Sequence, residues 1–337
     1  DEAVRVRAFR RADDDAVTMR FKLYRPGAAA PLADVLPILE HMGLKALIEE
    51  GFKVSPRGQK VWVHEFVLRD ERGEHLVFAD IQQAFEAAFV AIWTGRAESD
   101  GFNRLVMELG IGWREAALIR ALARYRQQSG LDPSQGVQEQ ALSDHPGVAR
   151  LILDLFQTKF DPAVRADLKT RQDQAKAVEA KIVEALQAVE SLDADRVLRR
   201  LAALVGAIKR TNFYQPAADG APKAYISFKI ASRELEDLPA PKPYREIYVS
   251  APHVEGVHLR FGPVARGGLR WSDRRDDFRT EVLGLVKAQQ VKNAVIVPVG
   301  SKGGFYPKHL PRGGDRDAIQ AEAIRAYKTF LSGLLDL

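Results

Sequence analysis

Two lysines flank an apolar run in the segment KNAVIVPVGSKGGF: Lys292 before it, and Lys302 in the glycine-rich stretch behind it. An ammonium can do two kinds of work. It can hold a carboxylate or phosphate as a point charge. Where other cations crowd it away from water its pKa falls, and it can then carry a proton near neutral pH. Upstream, ARGGLRW sets Arg266 beside Gly267 and Gly268, where the backbone can bend sharply. Gln289 stands three residues before Lys292, hence next to it on one helix face. Arg266, Lys292 and Lys302, with Gln289 as a neutral donor, make a candidate pocket for a small polyanion such as a dicarboxylate. The glycines around Lys302 are expected to let a substrate approach the backbone. The G-x-x-x-x-G-K-[ST] spacing of a Walker loop is absent. Arg270, Arg274 and Arg275 are expected to pair at the surface with Asp273, Asp276 and Asp277.

These residues need a scaffold. AVIVPV is apolar enough to be a strand buried on both faces. A helix over about 276–291 precedes it, the loop GSKGG follows, and a last helix begins after Gly314. With AYISFKI, REIYVSA and VHLRFG as further strands, residues 211–337 read as an α/β domain, in which ligands collect at strand C-terminal ends. Residues 76–210 read as helical throughout. Their later part is a long helical hairpin, with Val164, Leu168, Ala175, Val178, Ile182, Leu186 and Val189 as one apolar stripe and Asp193 or Asp195 capping the second helix. Residues 1–75 alternate apolar and polar in four segments around PLADVLPILEHMG, a short helix closed by Gly43. That order, β-β-α-β-β, predicts a small α+β sandwich suited to ligand sensing or docking. The fold class is thus α/β and α+β, multidomain.

Composition narrows the function classes. The 337 residues exceed one ordinary core. The net charge of +5 comes from 50 bases interspersed with 45 acids, a mixed solvated surface rather than a nucleic-acid footprint. With no cysteine, disulfides, thiolate metal sites and cysteine nucleophiles are excluded, and a reducing cytoplasm suits the chain. No apolar run is long enough to cross a bilayer. The seven histidines are scattered; His253 and His258, five apart in a strand region, fall on opposite faces, so no metal site is expected. The N-terminus carries no methionine and no signal-peptide pattern, and the chain stops within a helical pattern, as expected of a piece of something longer.

The wording ARGGLRWSDR followed by VKAQQVKNAVIVPVGSKGGF resembles the substrate-domain signature of glutamate dehydrogenases, and most of all the very large NAD-specific bacterial ones. The likeness is most specific from Phe261 to Lys308. PLADVLPILEHMGLKAL and VWVHEF resemble an ACT-like segment of the same proteins. The resemblance implies an ACT-like domain over 1–75, a helical region over 76–210, and over 211–337 the first part of a glutamate dehydrogenase-type substrate domain. It implies that Lys302 activates water and moves protons at the substrate α-carbon. Lys292, helped by Gln289, would bind the α-carboxylate. Arg266, where the family has lysine, would face the side-chain carboxylate. The substrate pair would be L-glutamate and 2-oxoglutarate, the assembly a homo-oligomer, and the cofactor NAD, held by a Rossmann domain beyond Leu337, together with a catalytic aspartate. No G-x-G-x-x-G follows a strand here, so the chain alone is expected to be unable to transfer hydride. Two other readings stand beside this one: a regulatory and assembly module binding an amino acid through the ACT-like domain, and a phosphate-binding enzyme using GSKGG.

Overall fold

The computed structural model describes residues 4–73, 77–130, 134–292, 299–313 and 315–337, with the backbone alone for 289–292. The chain forms two compact units, Asp1–Arg120 with Leu142–Pro146, and Ala121–Ala141 with Gly147–Leu337.

The first unit opens with β1 (Arg5–Phe9), β2 (Thr18–Pro26), α1 (Leu32–His41), β3 (Leu44–Val54), β4 (Val61–Asp70) and α2 (Phe78–Trp93), then α3 (Arg104–Leu109) and the start of α4 (Trp113–Gln128). The sheet is antiparallel in the order β1-β2-β4-β3. Its core follows from period-two alternation on β2, where Met19, Phe21 and Leu23 are fully buried. Phe21 meets Phe85 and Phe89 of α2 at ring distances of 5.2 and 4.7 Å. Helix α1 ends where expected. Gly43 takes φ +78°, and its N–H donates to the Glu40 carbonyl, satisfying one of the free groups of the last turn. The β-β-α-β-β reading of this region holds in every element.

The second unit begins with the rest of α4 and most of α5 (Gln135–Asp144), then α6 (Pro146–Phe160) and the hairpin α7 (Leu168–Leu186) and α8 (Leu192–Ala207). Asp167 and Ser191 cap the two hairpin helices, accepting from the Thr170 and Ala194 N–H groups at 2.7 and 3.3 Å. The expected cap at Asp193 or Asp195 is therefore corrected to Ser191. Both aspartates lie in the first turn of α8, where their charge suits the helix dipole. Of the expected stripe, Ala175, Ile182 and Leu186 are buried, whereas Leu168 is 73% exposed.

The rest of the unit is a six-stranded sheet in the order β5-β6-β7-β8-β10-β9. The strands are β5 (Ile208–Thr211), β6 (Ile226–Ile230), β7 (Arg245–Ala251), β8 (Val254–Arg260), β9 (Leu269–Trp271) and β10 (Ser301–Pro307). Helix α9 (Phe278–Lys292) links β9 to β10, and α10 (Arg316–Leu335) follows. All neighbours are antiparallel except β9 and β10, the parallel pair that α9 connects. One face packs on α10, where Val249, Val254 and Phe305 meet Ala326 and Phe330. The other face carries Glu246, Tyr248, Val257 and Gly304 and meets α9. The sequence places GSKGG in a loop. Instead Ser301 to Gly304 open β10, with Lys302 opposite Leu259 of β8. Residues 293–298, most of the expected strand AVIVPV, lie outside the described residues.

His253, in the β7–β8 turn, shares a 3.0 Å hydrogen bond with Thr329 of α10. Burial, and then Arg325, hold its imidazole down at about 4, against an ordinary 6.5. The unfolded chain then takes up this proton first, so stability should begin to fall below about pH 6.5 and this contribution should be gone by about pH 4. In thermal unfolding series over that window, His253→Gln should lose less stability than the parent chain. Equal losses would remove His253 as a source of the pH dependence.

Candidate functional site

The site is built on the last two strands of the second sheet and the helix between them. The backbone of Arg266–Gly268 runs alongside Gly300–Gly303. Arg266 bridges Gly300 in parallel, the Ser301 N–H donates to the Arg266 carbonyl at 3.1 Å, and the Gly303 N–H donates to the Gly268 carbonyl at 3.0 Å. Neighbouring strands lie about 4.8 Å apart with about 3.3 Å per residue along each, so the Arg266 and Lys302 backbones fall within about 8 Å of one another. Two of the three cations read from the sequence, Arg266 and Lys302, are thus brought to neighbouring backbone segments.

Close approach explains the glycines. A Cβ at Gly267 would lie 1.4 Å from the Ser301 carbonyl oxygen, which no relaxation absorbs. A Cβ at Gly303 would meet the Leu269 side chain at 2.4 Å, and one at Gly304 would meet Val282 of α9 at 2.4 Å. The backbone space beside these residues is thus filled by the protein's own side chains. That corrects the expectation that Gly303 and Gly304 admit a ligand to the backbone. It also removes the phosphate-loop reading, because a phosphate cradle needs free N–H groups, and those of Ser301 and Gly303 are spent on Arg266 and Gly268.

Lys302 is half-buried, between the tightly packed Ser301 and Gly303. By strand alternation it projects on the side of Gly304, toward the face that meets α9. Arg266 is exposed. Gln289 and Lys292 occupy the last turn of α9; their expected side-by-side placement lies outside the described residues. Arg274 pairs with Asp277 as expected, but Arg270 pairs with Glu281 at 2.9 Å rather than with an aspartate. Glu281 also accepts from the Ser272 hydroxyl at 2.5 Å, so it ties β9 to the first turn of α9.

What holds α9 in place was not among the residues singled out from the sequence. Arg279 is 1% exposed and donates from Nε and Nη2 to both oxygens of Glu246, at 2.8 and 2.5 Å. The Tyr125 hydroxyl of α4 donates to the same carboxylate at 3.1 Å, and burial pushes its phenol pKa up. A second buried cluster joins Arg124 and Lys308 to Glu255, at 3.1 and 2.8 Å. Burial pushes the Glu255 carboxyl up, but the two cations outweigh it and hold it down at about 2. One signal in the sequence could have found Glu246. It shares the inward phase of REIYVSA with Tyr248 and Ser250, and a carboxylate on that phase needs a buried partner. Among the described residues no group of three His, Cys, Asp or Glu could hold a metal ion, and no helix is long and apolar enough to cross a membrane.

Three family profiles match in series. The one described as "Glutamate dehydrogenase, ACT3 domain" matches residues 3–81, "Glutamate dehydrogenase, helical motif 3" matches 97–162, and "Bacterial NAD-glutamate dehydrogenase, catalytic domain" matches 181–337. The NAD-specific glutamate dehydrogenase of Pseudomonas aeruginosa is 50% identical over 317 residues, which cover 94% of this chain and 20% of that protein. Proteins of the same name from Halomonas elongata and Mycobacterium tuberculosis are each 44% identical, over 98% and 100% of this chain. The chain spans about a fifth of the length of these curated relatives. The three profiles follow one another along the chain, and the chain belongs to the bacterial NAD-specific glutamate dehydrogenase family, whose ACT3, helical-motif and catalytic segments it carries in that order.

Proposed function

We propose that this chain supplies substrate-binding and proton-transfer residues to an NAD-dependent glutamate dehydrogenase, which converts L-glutamate to 2-oxoglutarate and ammonium. The observation that supports this reading is the pairing of the Arg266–Gly268 segment with Gly300–Gly303, which brings the backbones of Arg266 and Lys302 close together. Arg266 faces the side-chain carboxylate of the substrate. Lys292 binds the α-carboxylate, with Gln289 as its neutral neighbour. Holding both carboxylates fixes the α-carbon and converts positioning into rate. NAD accepts the hydride, and the domain that holds it is other than those in this chain. Lys302 then moves protons at the α-carbon and activates the water that releases ammonium. The substrate domain starts near residue 211, after an ACT-like domain over 1–75 and a helical region over 76–210, in a cytoplasmic homo-oligomer.

Lys292→Ala in the full-length protein tests the reading. Loss of one charge-assisted contact to the substrate should raise the KM for glutamate about tenfold or more, with a smaller fall in kcat. An unchanged KM would remove Lys292 from the substrate site. A second role, regulation or assembly through the ACT-like unit, is supported by its edge strand β3, where Leu47, Ile48, Phe52 and Val54 are all exposed. Calorimetric titration with 2-oxoglutarate, against amino acids, separates the two roles.

A further inference from the structure

A groove of about 390 Å³ lies among α6, α7 and β5. Strand β5 is the opposite end of the sheet from β9, four strand spacings from β10 and so about 19 Å from Lys302. The groove is therefore separate from the candidate substrate site. Its lining is mixed. Phe160 and the exposed Leu168 give it apolar surface above the buried Ile208, and Lys159, Arg171 and Lys176 bring positive charge to it.

None of these three cations forms an ion pair with a carboxylate among the described residues. Lys159 donates to the Val205 and Gly206 carbonyls at the end of α8, at 2.8 and 2.5 Å, which leaves one of its three N–H groups. Arg171 donates to the carbonyls of Thr158, Asp161 and Val164, which leaves two of its five. Lys176 is exposed at the rim. Glu179 also lines the groove, and Lys209 is matched by Glu234 at 2.7 Å. Positive charge thus stays in excess around a concave apolar surface. Burial, and Lys209 beside it, push the Lys159 ammonium down to about 8, while Glu179 and Glu234 pull the other way. The charged form of Lys159 is poorly compensated in the free protein, and a bound anion would supply what is missing.

Helix capping explains the carbonyl bonds of Lys159 and Arg171. It does not explain why cations with spare donors share one groove with Phe160 and an exposed Leu168. Several converging donors suit an oxyanion with two charges better than one with a single charge. We propose that this groove binds a small organic phosphate, with the phosphate at Lys159 and Lys176 and its apolar body on Phe160 and Leu168. This site stands independently of the roles proposed for Lys302 and Lys292.

Phenyl phosphate is the probe, titrated by calorimetry into the purified protein. Inorganic phosphate (charge without body), benzoate (single charge) and phenol (body without charge) are the controls. Phenyl phosphate should bind at least about tenfold more tightly than each control. Lys176→Glu, at an exposed residue with no bonded partner among the described residues, should weaken it about tenfold or more without moving the unfolding midpoint. Lys159→Met, which keeps the apolar stem, should weaken it as well. No heat with phenyl phosphate up to about 10 mM would overturn the site. So would equal affinity for inorganic phosphate or benzoate, or binding unchanged in both variants.

Discussion

Lys302→Ala in the full-length protein should lower kcat by about 10²–10⁴ while moving the KM for glutamate less than about tenfold. The structure makes this substitution a clean one. The neighbouring backbone is held by the Ser301 and Gly303 N–H groups, bonded to Arg266 and Gly268, and by cross-strand pairing with Leu259, none of which uses the Lys302 side chain. Alanine fits a strand, so the protein should fold and bind substrate. What it loses is the ammonium. Lys302→Arg should not rescue turnover, because a guanidinium keeps its proton throughout the working range. Steady-state rates of NAD reduction decide the matter. If Lys302→Ala turned over like the parent protein, the proton-transfer role would be wrong. If KM rose while kcat held, Lys302 would be a binding residue instead.

Arg279→Ala carries the largest expected effect on stability, about 3–5 kcal/mol, because it strands a buried charge. Glu246 is 0% exposed and, of the three hydrogen bonds described above, would keep only the one from the Tyr125 hydroxyl. Replacing both charges tells the difference between a lost contact and an orphaned carboxylate. Glu246→Gln with Arg279→Met removes the ion pair, retains an acceptor for Tyr125, and should recover most of the loss. Chemical denaturation measures all three proteins. An Arg279→Ala variant within about 1 kcal/mol of the parent would show that water or another group reaches Glu246. Since Arg279 lies in the first turn of the helix that ends at Lys292, the single variant should also weaken glutamate binding.

Both tests concern one stretch of chain that was read only in part from sequence. The four strands and the helix of the first unit were legible because one face of each is buried, and burial imposes a period: Met19, Phe21 and Leu23 on β2, Val35, Ile38 and Leu39 on α1. The hairpin α7–α8 was legible for the same reason, though its cap was misplaced by two residues or more. Ser191 and Asp193 are both good cap residues, and only the backbone decides between them. The first residues of β10 were illegible as a strand. Glycine has low strand propensity, and Gly303 and Gly304 hide a segment that pairing with β8 and β9 makes extended. Arg279 was hidden differently. It follows Asp276 and Asp277 in a charged run that reads as surface, and only the fold reveals that its partner stands thirty-three residues earlier, at Glu246. Lys302 and Arg266 stand out in the sequence by residue type and glycine context, and the fold brings their backbones side by side.

The fit around Gly267, Gly303 and Gly304 bears on how this segment can drift through substitution. At each of these positions the smallest side chain would strike atoms already in place: the Ser301 carbonyl, Leu269 and Val282 respectively. A library of random variants would therefore return these three positions as intolerant, with activity lost alongside solubility. Such a pattern is the fingerprint of a tolerance set by clearances between backbone and neighbour, and it would look the same if the site had no chemistry at all. Lys302 sits among them and would be scored with them. Only a variant that folds, and still fails to turn over, tells the reactive position from the tight ones.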